Sequence, residues 1–202
     1  MKIVEHIFKN TIMKTMTKII AGAFTALAIF IGTNVKAQTT PANAIRFGVG
    51  LETGIPTGNA HDGSNFELGG TARLQYGINS NVALMLTSGY YNFFGKTVSS
   101  TIVSPGGTTT ISFKGRSLGM IPVKAGIKAF LGDGFYFSGE VGAGFEVHPV
   151  VAGGEKDTKL ILAPGLGYAS KSWDVGVRYE NFSGQSNNYG LVGLRLAYGF
   201  GL

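Results

Sequence analysis

The chain has 202 residues and no cysteine. That absence excludes a disulfide framework, thiolate metal sites and a lipidated N-terminal cysteine. Charge is scarce: Asp, Glu, Lys and Arg make up only 14%, against about a quarter in an ordinary soluble domain. Only 6 prolines occur, and no proline-rich linker separates one domain from another. Past residue 37 the histidines are His61 and His148, too few ligands for a metal centre. Apolar runs are short as well. The longest, 19–32, falls below the roughly 20 residues a spanning helix needs.

What is present is glycine, at 32 residues, and an apolar fraction of 44%. Net charge is +6, but its location matters more than its size. Residues 1–37 carry Lys2, Lys9, Lys14, Lys18 and Lys36 against Glu5, a balance of +4. The remainder is close to neutral, which removes the case for a nucleic-acid partner.

That N-terminal segment reads as an address. From Met13 it runs MKTMTKIIAGAFTALAIFIGTNVKAQ, with a basic start, an apolar stretch over 19–32 and small residues around Lys36. These are the three parts of a cleavable signal peptide. Cleavage is expected between Ala37 and Gln38, so the organisation is an N-terminal extension and signal peptide over 1–37 and a single domain over 38–202. Met1, Met13 and Met16 are alternative starts.

Beyond residue 41 the apolar residues recur with period two in eight segments: 44–54, 66–78, 82–93, 118–131, 135–147, 159–170, 173–181 and 189–200. Strict alternation is a strand signal. The stretch FYFSGEVGAGFEV, 135–147, shows it best. Phe135, Phe137, Val141, Phe145 and Val147 fall on one face, and Tyr136, Ser138, Glu140, Gly142 and Glu146 on the other. Short turns at 79–81, 132–134 and 171–172 alternate with longer loops at 55–65, 94–117, 148–158 and 182–188. Strands of about ten residues with this rhythm predict an eight-stranded antiparallel up-and-down transmembrane β-barrel.

The face opposite the apolar one collects a balanced set of ions. It holds Arg46, Arg73, Lys124, Lys128, Arg178 and Arg195 against Glu52, Glu67, Glu140, Glu146, Asp174 and Glu180. A soluble barrel would turn charges out and grease in. Here the apolar face must meet lipid and the charged face a narrow lumen, where side chains fill the space and buried ions must pair. Aromatic residues are expected in two interfacial girdles. Tyr76, Phe135, Tyr168, Trp173, Tyr198 and Phe200 form the one near the short turns. Phe66, Tyr90, Phe93, Phe145, Tyr179, Phe182 and Tyr189 form the one near the long loops.

The stretches GLETGIPTGNAHDGSNFELGGTARLQYGINSNVALMLTSGYYNFFG, IPVKAGIKAFLG and LRLAYGFGL resemble the small outer-membrane β-barrel proteins common in Bacteroidota. The resemblance spans nearly all of 44–200 and implies an OmpX-like or OmpA-like barrel in the outer membrane of a Gram-negative bacterium. It implies no activity and transfers no functional residue. The aromatic end of the last strand resembles the signal read by the barrel-assembly machinery, an expected partner during biogenesis. Outer-membrane lipid and lipopolysaccharide are the other expected partners.

Chemical motifs are thin. Gly48-Val49-Gly50 and Gly142-Ala143-Gly144 lie inside strands with no helix following, so neither is a phosphate loop. Nothing calls for a cofactor or a metal. His148, Glu146 and Ser183 are the residues an enzyme acting on lipid A would use as base, orienter and nucleophile, though their spacing does not require it. The Thr/Ser-rich 94–117 reads as a hairpin rising above the membrane. With 148–158 it is the candidate surface for a partner. The leading expectation is a non-enzymatic outer-membrane protein with a plugged, ion-paired lumen, in an envelope or surface-interaction role. The alternatives are a narrow pore for ions or small solutes and a lipid A-modifying enzyme.

Overall fold

The structure is a computed structural model that describes residues 40–104, 107–132, 134–147, 156–184 and 188–201. The leader 1–37, the Ala37–Gln38 cleavage point, His148 and most of the loop 148–158 lie outside them. In chain order the elements are β1 (Ile45–Gly58), α1 (Asn59–Gly63), β2 (Ser64–Gly77), β3 (Val82–Gly95), β4 (Thr97–Ser104) and β5 (Gly107–Lys114). Then come β6 (Leu118–Gly132), β7 (Phe135–Glu146), β8 (Thr158–Ala169), β9 (Trp173–Ser183) and β10 (Tyr189–Gly201).

Eight of these strands close into one antiparallel barrel, β1-β10-β9-β8-β7-β6-β3-β2. Each pairs with its chain neighbours, and β1 meets β10 from Arg46↔Gly201 to Gly58↔Tyr189 to seal the cylinder. Closure leaves no unpaired sheet edge, as a hydrocarbon environment demands. Barrel strands run from 11 to 15 residues, enough to cross a bilayer, which takes about 9–11, and the longer ones extend past it. Among the described residues no helix is long and apolar enough to cross a membrane; the strands do the crossing.

The short turns are built locally. The Asn79 side chain accepts hydrogen bonds from the backbone N–H groups of Asn81 and Val82 at 2.8 and 2.9 Å, the turn chemistry that asparagine supplies. Gly134 holds φ +90° before β7, a conformation other residues avoid. At the other end the strands run past the expected boundaries. β1 continues through Pro56 to Gly58 because β10 pairs with it throughout. The segment 94–117 contains β4 and β5, which pair only with each other as a two-stranded sheet outside the barrel.

Two prolines inside the barrel interrupt its ladder. The β3–β6 register jumps from Ser88↔Val123 to Tyr91↔Met120, skipping the positions of Pro122 and Ile121. The β8–β9 register jumps from Leu162↔Asn181 to Gly165↔Arg178, skipping Ala163 and Pro164. Proline has no N–H to donate and is ordinarily kept out of paired strand interiors. The three-strand panel β6-β7-β8 is therefore bordered on both sides by a gap. Of each pair Gly89/Tyr90 and Tyr179/Glu180 one amide points toward the gap and the other to the intact strand on the far side, and the amide that points toward the gap is expected to exchange with solvent deuterium faster than its strand neighbours. Residue-resolved exchange of the barrel in micelles checks this; uniform protection along β3 and β9 would contradict it.

Candidate functional site: the barrel lumen

The outer face is apolar around the whole circumference. Leu51, Leu68, Leu86, Val123, Val141, Leu166, Val177 and Leu194, one from each barrel strand, are all exposed. The inner face carries the charges. Of the twelve ions expected there, eleven are buried: Arg46, Glu52, Glu67, Arg73, Lys124, Lys128, Glu140, Asp174, Arg178, Glu180 and Arg195. Glu146 departs from the expectation. It closes β7 at the rim, half-buried, and its carboxylate accepts the backbone N–H of Asp157 at 3.2 Å. The strand parity that points it inward runs out at the end of the ladder.

The buried ions meet in pairs that reach across the cylinder. Arg73 on β2 binds Glu140 on β7 at 3.0 Å, and Lys128 on β6 binds Asp174 on β9 at 2.5 Å. Glu180 on β9 accepts from both Lys124 and Arg178. Arg178 also reaches Glu52 on β1 at 2.6 Å, and Arg195 on β10 lies 3.1 Å from the same carboxylate. Neutral hydroxyls complete the set. Thr71 donates to Glu52 and Thr87 to Glu140, each at 2.6 Å. Tyr136 donates to Asp174 at 2.6 Å. Tyr91 on β3 accepts from Lys124 on the adjoining β6 and from Arg178 on the facing wall, at 3.0 and 2.9 Å. Such multiply hydrogen-bonded ions are the form in which charge survives burial.

Glycine lets neighbouring barrel strands approach closely. Gly142 stands opposite Lys124 in the β6–β7 register. A Cβ there would collide with the Val123 carbonyl and the Lys124 backbone.

At the long-loop end strand parity, not height, sets which aromatics face lipid. Phe93, Phe182 and Tyr189, expected in the outer girdle, are inside, exposed by only 2%, 0% and 8%. Each shares the parity of the inward polar residues on its own strand: Thr87 on β3, Arg178 and Glu180 on β9, Arg195 on β10. Height along the strand suggested a girdle, but period two decides the face. Phe94 is the exposed aromatic instead, stacked on Phe66 at 6.1 Å. Inside, Phe93 meets Phe182 and Tyr189 edge-on at 6.0 Å, and the latter two stack at 4.9 Å. With Tyr91, Met120, Ile161, Ala163 and Leu191 they form a buried apolar cluster. Glu67 lies beside it, paired across strands with Phe93, and neither of its carboxylate oxygens has a hydrogen-bond partner among the described residues.

The remaining girdle residues face out. Tyr76, Phe135, Tyr168, Trp173, Tyr198 and Phe200 are exposed at the short-turn end. Phe135 packs on Tyr168 at 5.1 Å and Trp173 on Tyr198 at 5.2 Å. Phe66, Tyr90 and Phe145 are exposed at the other end, and Tyr179 is half-buried on the same outward parity. Lys159 was missed by sequence reasoning. It is buried and pairs with Asp157 at 2.9 Å, and its parity with Ile161 is the signal that would have found it.

Of the residues considered for catalysis, Ser183 ends β9, half-buried, and Glu146 is engaged by the Asp157 backbone. Exposed His61 lies in α1 and its carbonyl accepts from Lys96. Among the described residues no group of three or more His, Cys, Asp or Glu is placed to hold a metal ion.

A cylinder with lipid-compatible walls, ion-paired contents and no sheet edge is a membrane-spanning β-barrel of the outer-membrane type. No family model and no curated protein matches the chain. Solved structures do. The N-terminal β-barrel domain of Pseudomonas aeruginosa OprF is 13% identical, with a TM-score of 0.47, over 79% of this chain and 98% of that one. Ail, the attachment invasion locus protein of Yersinia pestis, crystallised with the heparin analogue sucrose octasulfate, is 15% identical with a TM-score of 0.49, over 79% and 99%. The outer-membrane protein OprG of Pseudomonas aeruginosa is 9% identical with a TM-score of 0.45, over 83% and 99%. The barrel assignment rests on the closed register and the inverted surface, independently of these likenesses.

Proposed function

We propose that the chain is a non-enzymatic integral protein of the outer membrane of a Gram-negative bacterium, with a plugged lumen. Its work is mechanical support of the envelope or display of its loops to a partner. The observation that supports a plug is that side chains from facing walls meet at two levels. Phe93 and Phe182 touch near the long-loop end, and below them Tyr91 and Lys124 join Arg178 and Glu180. Within the class, the stretches 50–95, 121–132 and 194–202 favour the OmpX-like and OmpA-like barrels common in Bacteroidota. Lipid and lipopolysaccharide contact the outer wall, and the barrel-assembly machinery reads the final strand. The long loops, above all the protruding β4–β5 hairpin, are the surface left for a partner.

Reconstitution in planar bilayers tests the plug. The folded protein is expected to give no steady unitary conductance. A reproducible step conductance would replace this reading with that of a narrow pore. Mass spectra of lipid A from cells with and without the protein are expected to match; a changed acyl pattern would instead make it an enzyme.

A further inference from the structure

The β4–β5 hairpin continues the barrel wall without a slip. Phe93↔Leu118 is the outermost pair of β3 with β6, and Thr97↔Lys114 is the first of β4 with β5. Each side advances by four residues between the two pairs. On the way the Gly115 N–H donates to the Lys96 carbonyl at 2.8 Å. Strand parity is therefore carried from the membrane into the hairpin. On β3 and β6 the lipid-facing residues include Leu86, Tyr90, Phe94, Ile121 and Val123. The same parity defines one face of the hairpin, on which Val98 pairs with Phe113, Ser100 with Ile111 and Ile102 with Thr109. The other face follows the lumen side and pairs Thr97 with Lys114, Ser99 with Ser112 and Thr101 with Thr110.

The two faces differ in chemistry. The lumen-side one is hydroxyl-rich and includes a lysine. The lipid-side one is apolar at positions 98, 102, 111 and 113 and has no charge. Ile111 is 40% exposed, and Thr110 and Ser112 are exposed as well, so at that level neither face lies against the barrel. Among the described residues β4 and β5 pair only with each other. A lone two-stranded hairpin is marginal in water and gains stability when an apolar face is covered.

A second copy fits as the cover. Copies inserted in one membrane share one orientation, so each presents this face at the same height. The face rises from lipid-facing wall, where another barrel approaches in the plane of the membrane. No residue of 97–113 is charged, so matching these faces brings no like charges together, whereas matching the Lys114 faces would. With 8 residues in each strand, the footprint is about 250 Å² per copy. That is well below the roughly 800 Å² per partner of a stable complex in solution, so the contact serves chains already held in one membrane.

We propose that two copies associate side by side in the membrane by packing the apolar faces of their β4–β5 hairpins together as a small two-layer sheet. The contact is isologous, the same patch meeting itself across a two-fold axis. It rests on the reading of the chain as a barrel that displays its loops, and it names a second copy as the partner.

The chain has no cysteine, so single-cysteine variants of the full protein report the contact directly. Membranes of the expressing cells are oxidised with copper phenanthroline and run on gels without reductant, and mass spectrometry identifies any cross-linked band. Ile111→Cys is expected to give a disulfide-linked dimer at several times the yield of Thr110→Cys, which lies on the opposite face. Adding Ile102→Asp to Ile111→Cys sets two carboxylates at the contact and is expected to abolish the dimer. Equal yields for Ile111→Cys and Thr110→Cys overturn the proposal, and so does a dimer that survives Ile102→Asp. A band that joins Ile111→Cys to a different protein overturns it in favour of a foreign partner. Heat-dependent gel mobility separates this failure from a deeper one: a chain that runs alike boiled and unboiled removes the barrel itself, and the proposal with it.

Discussion

Glu180→Ala is expected to destabilise the barrel by about 3–5 kcal/mol, the usual cost of leaving a buried ion without its partner. Glu180 is fully buried and is the acceptor shared by Lys124, Arg178 and Tyr91. Its removal leaves Lys124 with no carboxylate among the described residues nearer than Glu140 at 4.0 Å and takes from Arg178 one of its two acids, Glu52 remaining, in a space where water cannot replace the lost carboxylate. Restoring balance should recover stability. Lys124→Met combined with Glu180→Leu is expected to lie closer to wild type than Glu180→Ala alone, a coupling that a double-mutant cycle measures. Glu67 provides the contrast. It is equally buried, yet its carboxylate oxygens have no hydrogen-bond partner among the described residues, so Glu67→Gln orphans nothing and is expected to be neutral or stabilising. Urea unfolding in micelles reads all of these. Equal losses for Glu180→Ala and Glu67→Gln would mean that burial, and not pairing, sets the energy of the lumen.

Arginine placed on the outer wall is the second large effect. Leu86 and Leu194 lie near the middle of β3 and β10 and are exposed. In hydrocarbon an arginine at mid-depth costs about 2–4 kcal/mol, falling to about 0–1 near the interface. Leu86→Arg and Leu194→Arg are therefore expected to destabilise the folded barrel in lipid by the larger amount, and Ile45→Arg, at the start of β1, by the smaller. In water the same substitutions would exchange exposed leucine for exposed arginine and cost almost nothing. A depth-dependent penalty measured in bilayers identifies the solvent around the wall as lipid. A flat, negligible one would place the outer face in water and overturn the assignment.

These two experiments probe opposite faces of the same strands, and both faces were visible as alternation. Along β9, Trp173, Val175 and Val177 alternate with Asp174, Arg178 and Glu180, and the structure sets the first three outside and the second three within. The inward set on β10 includes Leu191 and Tyr189 as well as Arg195. The face of such apolar residues follows from their parity with the charged residues of the same strand, not from their own chemistry. Met120, Ile161 and Phe182 were legible by parity, but their meeting was not, because they come from three strands distant in sequence. The proline gaps were hidden for a related reason. Pro122 and Pro164 are plain in the chain, yet whether a missing donor breaks a ladder depends on which neighbour that residue faces.

What the sequence determined alone is the strand count, the inside and outside of each strand, and the inverted solvent preference. Each follows from local period and from the cost of charge in hydrocarbon. What only the tertiary structure decided is who meets whom across the lumen. It chose Glu140 for Arg73, Asp174 for Lys128 and a shared Glu180 for Lys124 and Arg178. Partners in a cylinder are fixed by the register at which the strands close, and register is a property of the closed sheet, not of any strand within it.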